Sequence, residues 1–347
     1  MSALRRALVV TFTLAAVATA FAAPVVIRLS TVAPKGTTWD SALTDMGAAW
    51  SKATEGRVTL RVTGGAAQGN ESTTIKYMRP AANQVDAALL TGPGLSEIDD
   101  AFGVFGIPFF FQSDAEEQSI RDKLTPVLAK RLEAKQFHLI AWGHGGWVQL
   151  FSTVELKTLA DVKKAKLFTS AGNDKMMKWY TGNGFNPVAM DVTNIAQQLA
   201  TGAIQATPMP PYGAVAFQIS RTVKFMLDVN VDPLIGALIM TDGAWNKIAA
   251  DDRDKIVAAA KTMENRLQTE VPAQDTKSVE AMQRSGLKVT KLDVASAAAF
   301  RAEAEKLAAT MRCATRECSP SSAGMVPADV YDLALQSRDE FRKSHAK

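Results

Sequence analysis

Val25, Ile27 and Leu29 alternate with Val26, Arg28 and Ser30, a period of two that predicts a strand. From Trp39 the period changes. Trp39, Leu43, Met46 and Trp50 recur three and four apart, which predicts an amphipathic helix over 38–53 ended by Glu55-Gly56. Val58, Leu60 and Val62 alternate again, and a glycine-rich turn over 64–71 follows. A helix over about 71–82, a short buried strand at 85–90, a helix over about 115–134 and a strand at 137–142 come next. Strand, helix, strand, helix, strand predicts an α/β domain with parallel pairings. A second α/β unit begins near Thr153, with strands at 166–169, 188–190 and 203–206 and helices over about 173–182 and 193–201. Residues 234–240 read as a strand that returns the chain to the first unit. The remainder is mostly helical. Ile256, Ala260, Met263 and Leu267 are in phase, 287–292 alternates briefly, and helices follow over about 294–311 and 327–343, with Pro327 in a first-turn position. Two crossings between α/β units imply a cleft at their interface, a usual place for a small-molecule site.

The first residues set the compartment. Arg5 and Arg6 precede an apolar stretch from Ala7 to about Val17, and Ala20-Phe21-Ala22 fits a small-residue cleavage site before Ala23. This is the order of a secretory signal peptide over 1–22, too short in its apolar part to span a bilayer. Its removal takes away two arginines and no acid, which lowers the formal charge from +4 to +2. The longest later apolar run, 101–111, has eleven residues and contains Pro108. A soluble mature chain outside the cytoplasm is expected. The 347 residues are 47% hydrophobic and 21% charged, an ordinary folded composition with length for two domains. The small, scattered positive excess gives no nucleic-acid signal.

The chemistry-bearing residues are few. His138 falls in a strand, His144 in a glycine loop (143–146) and His345 at the C-terminus. Asp99-Asp100, Glu116-Glu117 and Asp251-Asp252 are adjacent rather than facing carboxylates, best read as solvated helix starts. No HExxH, CxxC, GxSxG or phosphate-loop motif occurs. With three histidines and two cysteines, a multi-ligand metal site is not expected, nor is a cofactor or an enzyme. Cys313 and Cys318 enclose four residues. In an exported chain such a pair usually oxidises to a disulfide; two free thiols, or one bonded to a partner, is the alternative.

The order of segments resembles the substrate-binding proteins of TRAP transporters, the DctP-like family. The stretches that carry it are IRLSTVAPKGTTWDSAL, WSKATEGRVTLRV, AAQGNE with VDAALL, FGVFGIPFFF, TVELKTLADVKKAKLF, NGFNPVAMDVTNIAQQLATGAIQA and ALIMTDGAWNKIAADDRDKI. Seven pieces in order and spacing are specific where no single one is. The resemblance implies an α/β, two-lobed periplasmic-binding-protein fold with a cleft between the lobes and long C-terminal helices. Lobe I is expected over 23–150 plus about 235–275. Lobe II is expected over 151–234 plus about 276–347, which includes the bracing helices. It also implies delivery of a small molecule to membrane-embedded TRAP subunits, by a monomer.

The chain departs from the family where ligand is held. The family usually anchors a ligand carboxylate with an arginine at the end of its D-L-K-G-L-K-I-R stretch; here Phe168 takes that place. A second arginine about twenty residues upstream corresponds to Val148, beside Trp147, and an assisting asparagine to Met209. None of these can pair bidentately with a carboxylate. Trp39, Trp147, Val148, Phe168, Met209 and Tyr212 are therefore expected to line a largely apolar pocket, and Gln68, Glu71 and Thr91 to face the cleft as its few polar contacts. The competing reading makes the apolar residues lobe core and places an organic-acid anchor elsewhere. Two functions share the pocket: a TRAP-type binding protein for an apolar or amphipathic solute, and a periplasmic carrier of lipid or another hydrophobe that works with protein partners.

Overall fold

A computed structural model describes residues 23–319, 322 and 324–345. The signal-peptide residues 1–22 lie outside the described residues. The chain begins β1 (Val25–Thr31), α1 (Thr38–Ala53), β2 (Val58–Thr63), α2 (Glu71–Met78), β3 (Ala87–Thr91) and α3 (Gly92–Ile98). A 3-10 segment, Asp100–Gly106, then leads to α4 (Asp114–Glu133) and β4 (Phe137–Trp147). The expected amphipathic stripe of α1 is buried: Trp39, Ala42, Leu43, Met46 and Trp50 all face inward. Thr37 caps the helix by accepting the Asp40 N–H. Each large side chain in such a stripe contributes about 1.5–3 kcal/mol on burial.

The second part runs β5 (Gln149–Ser152), α5 (Leu159–Lys164), β6 (Lys166–Ser170), α6 (Asp174–Gly182), β7 (Asn186–Met190), α7 (Ile195–Thr201), β8 (Ala206–Met209), α8 (Pro211–Ala216) and β9 (Phe225–Leu227). The chain then passes through β10 (Pro233–Thr241), α9 (Asp242–Trp245), α10 (Ala250–Arg284), β11 (Lys288–Thr290), α11 (Val294–Ala309) and α12 (Ala328–His345). Two sheets result, with strand orders β2-β1-β3-β10-β4 and β11-β9-β5-β8-β6-β7. In the first, β1 is parallel to β2 and β3, whereas β10 returns antiparallel between β3 and β4. The sheets are mixed rather than purely parallel.

Two local expectations are corrected. The strand placed at 203–206 lies at Ala206–Met209, because Gly202 ends α7 in the left-handed region (φ 74°) and pairing with β5 starts at Ala206. The glycine loop at 143–146 is not a loop. It is the second half of β4, held by pairing of Gly143 with Gly236 and of His144 with Ile235.

Several segments join the lobes, among them two crossovers and a helix. The β4–β5 crossover at Val148 and the β9–β10 crossover lie side by side: Val148 N–H donates to Asp232 O at 2.8 Å, and Val231 N–H to Val148 O at 2.9 Å. The helix is α10, which contains Pro272. Its first half puts Ile256, Ala260, Met263 and Leu267 into the core beneath β1 and α1, and beyond Pro272 Met282 enters the core of the second sheet. The last helix, α12, lies against α4 on the first lobe, with Lys123 bonded to Glu340 and Arg342 to Glu116.

Cys313 and Cys318 are joined by a disulfide in the segment between α11 and α12. Cys313 also donates its N–H to Val326 O at 2.8 Å, so the loop is held from two sides. Replacing both cysteines by serine is expected to cost less than ~3 kcal/mol, the scale for a 15-residue loop, because this loop is shorter. Urea unfolding of the two forms measures the difference; a larger loss would mean that the bond does more than restrict the unfolded chain.

Candidate functional site

A cavity of about 340 Å³ lies between the two sheets. It sits beyond the carboxyl ends of β1, β3 and β6, where open α/β sheets hold their ligands. The first lobe contributes Trp39 from α1, Glu71 from α2, Thr91 at the end of β3, and Phe102 and Phe105 of the 3-10 segment. The second contributes Phe168 from β6, Met209 from β8, Trp179 and Tyr180 from α6, and Phe217 after α8. Val148 and Asp232 line it from the two crossovers, and Phe300 reaches it from α11.

Of the residues the sequence pointed to, Trp39, Glu71, Thr91, Val148, Phe168 and Met209 come together in this wall. Three lie elsewhere. Trp147 turns the other way, packs on the first-lobe core and donates its indole N–H to Asp114 Oδ1 at 2.8 Å. Tyr212 stands behind Trp39, ring centroids 4.8 Å apart, and its hydroxyl accepts the Thr38 N–H at 2.7 Å. Gln68 lies on the turn before α2, where its buried Oε1 has no hydrogen-bond partner among the described residues.

Other wall residues had a weaker signal or none. Phe102, Phe105 and Phe109 belong to the long apolar run 101–111, whose residue types alone read as core. Phe109 holds φ at 59°, unusual for a bulky side chain, and donates its N–H to Val231 O at 2.6 Å on the β9–β10 crossover. Trp179 and Tyr180 lie on a helix that was expected, but with no mark of a site. Asp232 follows Asp228 and Asn230 in an alternating stretch and has no sequence mark of a site.

The wall has one sign of charge. None of the described residues lining the cavity is lysine or arginine, whereas Glu71, Glu97, Asp191 and Asp232 all line it. Glu71 is held by the Thr91 N–H and hydroxyl, both at 2.6 Å. Gly94 packs so closely that a Cβ there would meet the Glu71 carboxylate at 2.6 Å, which only glycine avoids. Burial pushes Glu71 up to about 7 against these hydrogen bonds. Burial likewise raises Glu97, which accepts from Ser72 at 2.5 Å. His144, also in the wall, is shifted down by burial towards its neutral form. Among the described residues no group of three His, Cys, Asp or Glu side chains is placed to hold a metal ion.

The lobes touch across the mouth of the cleft. Asn70 on the first lobe donates to Asp191 Oδ1 on the second at 2.5 Å, and Lys175 of α6 pairs with Asp100. Beneath the crossovers, Asp275 of α10 accepts the Tyr212 N–H at 2.7 Å and also bonds the Trp147 backbone. Burial raises Asp275 to about 7. Gly146, at φ 96°, leaves room for this carboxylate.

This geometry has counterparts among known proteins. The sequence profile of bacterial extracellular solute-binding protein, family 7 (DctP) matches residues 29–313. A protein of Haemophilus influenzae of unassigned function is 22% identical over 213 residues, 60% of this chain and 64% of that one, so the match spans just under two thirds of that relative. The C4-dicarboxylate-binding periplasmic protein DctP of Rhodobacter capsulatus is 23% identical over 271 residues, 77% of this chain and 80% of that one. A TRAP periplasmic solute-binding protein from Xanthobacter autotrophicus Py2, solved with bound β-D-galacturonate, superposes with a TM-score of 0.79 at 18% identity, covering 90% of this chain and 99% of that one. The profile match spans most of the chain, and the chain belongs to the DctP family of bacterial extracellular solute-binding proteins, family 7.

Proposed function

We propose that this TRAP-type solute-binding protein takes up an apolar or amphipathic solute rather than a small organic acid. The observation that carries the reading is the charge of the wall: four carboxylates and no cation among the described residues that line the cavity. The positions that correspond to the family's carboxylate anchors hold Val148, Phe168 and Met209, all in that wall. An anionic ligand there would lose its hydration without a counter-charge, at a cost of several kcal/mol. The acids named for the two relatives above, a C4-dicarboxylate and galacturonate, are ligands of proteins only 23% and 18% identical to this one.

The protein works in the periplasm after loss of residues 1–22, hands its solute to membrane-embedded TRAP subunits, and performs no chemistry on it. The intact mass of the secreted product is expected to begin at Ala23; a mass that includes residues 1–22 would refute export by cleavage. A carrier that docks on protein partners calls for a contiguous exposed apolar patch.

Native mass spectrometry of freshly purified protein, followed by calorimetry against hydrophobic compounds and small acids, tests the proposal. A retained or titrated apolar solute is the expected result; micromolar binding of a simple organic acid would overturn it. The crossovers at Val148 and Asp232 are the expected hinge, and breaking the Asn70–Asp191 contact opens the cleft. Small-angle scattering is expected to show a smaller radius with ligand than without, and an unchanged radius at saturation would count against closure.

A further inference from the structure

Each carboxylate in the cavity wall but one has a partner. Glu71 is bonded by Thr91, Glu97 by Ser72 and Asp191 by Asn70. Asp232 is the exception. Its backbone oxygen accepts the Val148 N–H, while its half-buried carboxylate opens on the cavity and makes no hydrogen bond or ion pair among the described residues. The group lines the apolar cavity, with the Tyr180 ring in the same wall. An acid kept in such a place without a donor is costly; the Tyr180 hydroxyl lies within electrostatic reach of it but makes no hydrogen bond to it.

We propose that the solute carries one protonated nitrogen on an apolar body, and that Asp232 receives that ammonium group while the aromatic wall takes the body. The proposal rests on the apolar-pocket reading and narrows it to one chemical class. An ammonium group brings up to three N–H donors and the charge the wall lacks. Aromatic faces such as Trp179 and Tyr180 favour a cation as well as an apolar chain. Ligand-free, the carboxyl is raised by burial to about 7, so the neutral acid is readily populated near neutral pH; an arriving ammonium stabilises the ionised form. The same residue lies on the β9–β10 crossover, so engagement of the ligand's charged end acts directly on the segment between the lobes.

The test uses three probes with one tail: octylamine, octan-1-ol and octanoate, titrated by calorimetry into the full mature protein freed of bound solute. Wild type is expected to bind octylamine at least about 30-fold more tightly than octan-1-ol, with octanoate the weakest. Asp232→Asn, close to isosteric, is expected to bring octylamine down to within about threefold of octan-1-ol and to leave octan-1-ol itself within about threefold of wild type. Octylamine no tighter than octan-1-ol in wild type would overturn the ammonium proposal and leave the apolar reading standing. Octanoate tighter than both would overturn both. The wild-type comparison decides even if the variant fails to fold.

Discussion

Phe168→Arg is expected to weaken binding of octan-1-ol, or of the solute retained through purification, by at least about 100-fold. Phe168 lies in β6, is 7% exposed, packs with Ile195, Met209 and Met226, and lines the cavity. An apolar ligand surface of ~300 Å² at ~25 cal/mol per Å² contributes roughly 7–8 kcal/mol before association costs. A guanidinium at this position takes away apolar contact and introduces a charge that ligand closure must desolvate. Loss of about 3 kcal/mol of that burial is about 100-fold, since each 1.4 kcal/mol is about tenfold in affinity. Phe168→Leu keeps the wall apolar and is expected to lose no more than about tenfold, which separates charge from shape. Calorimetry on the two variants decides. Unchanged affinity in Phe168→Arg would mean that the ligand does not touch this wall.

The parts of the fold legible in the sequence are those whose period extends over several residues. β1 and β2 alternate over six or seven positions and α1 keeps one apolar stripe over four turns, so their type and face were open to reading. β5 and β9 have four and three residues, too few for a period, and exist because neighbouring strands pair with them. The second half of β4 was hidden by its glycines, which resemble a loop until β10 is laid beside them. At the site, Phe168, Val148 and Met209 were reachable because the family's order of segments fixes strand ends and a crossover. Trp147 faces the first-lobe core instead, for a local reason. In extended backbone adjacent side chains point to opposite sides, so Trp147 and Val148 are not expected to share one wall. Asp232 had no sequence signal at all. What singles it out is a carboxylate without a donor, and that depends on which segments pack around it, far away in the chain.

Arg121→Met is expected to lower the stability of the ligand-free protein by about 3–5 kcal/mol, the usual cost of removing one member of a buried ion pair. In sequence, Glu117 and Arg121 are an ordinary i, i+4 pair on a helix, the kind worth about 0.3–0.5 kcal/mol on a surface. In the fold Arg121 is 2% and Glu117 0% exposed, with Arg121 Nε 2.8 Å from Glu117 Oε1. The same guanidinium reaches Glu264 Oε1 on α10 at 3.2 Å and lies 5.7 Å from the centre of the Trp142 ring, so it ties α4, β4 and α10 together. Glu264 keeps Lys261 and the Trp142 N–H when the arginine is gone, whereas Glu117 is left without a cation. Burial already pushes Glu117 up to about 7, with Arg121 pulling it down; without Arg121 it rises further. An acid whose folded pKa lies above its unfolded value, about 4.3 for glutamate, binds more protons folded than unfolded. Stability therefore falls as pH rises from the unfolded value through the folded one. In the variant that window extends upward, so the loss relative to wild type is expected to be larger at pH 8 than at pH 5. Glu117→Gln in the same background removes the titrating group and is expected to abolish most of this extra pH dependence. Urea unfolding of the three proteins at both pH values measures it. A loss below about 1 kcal/mol, equal at the two pH values, would show that packing rather than this charge holds α4 to α10.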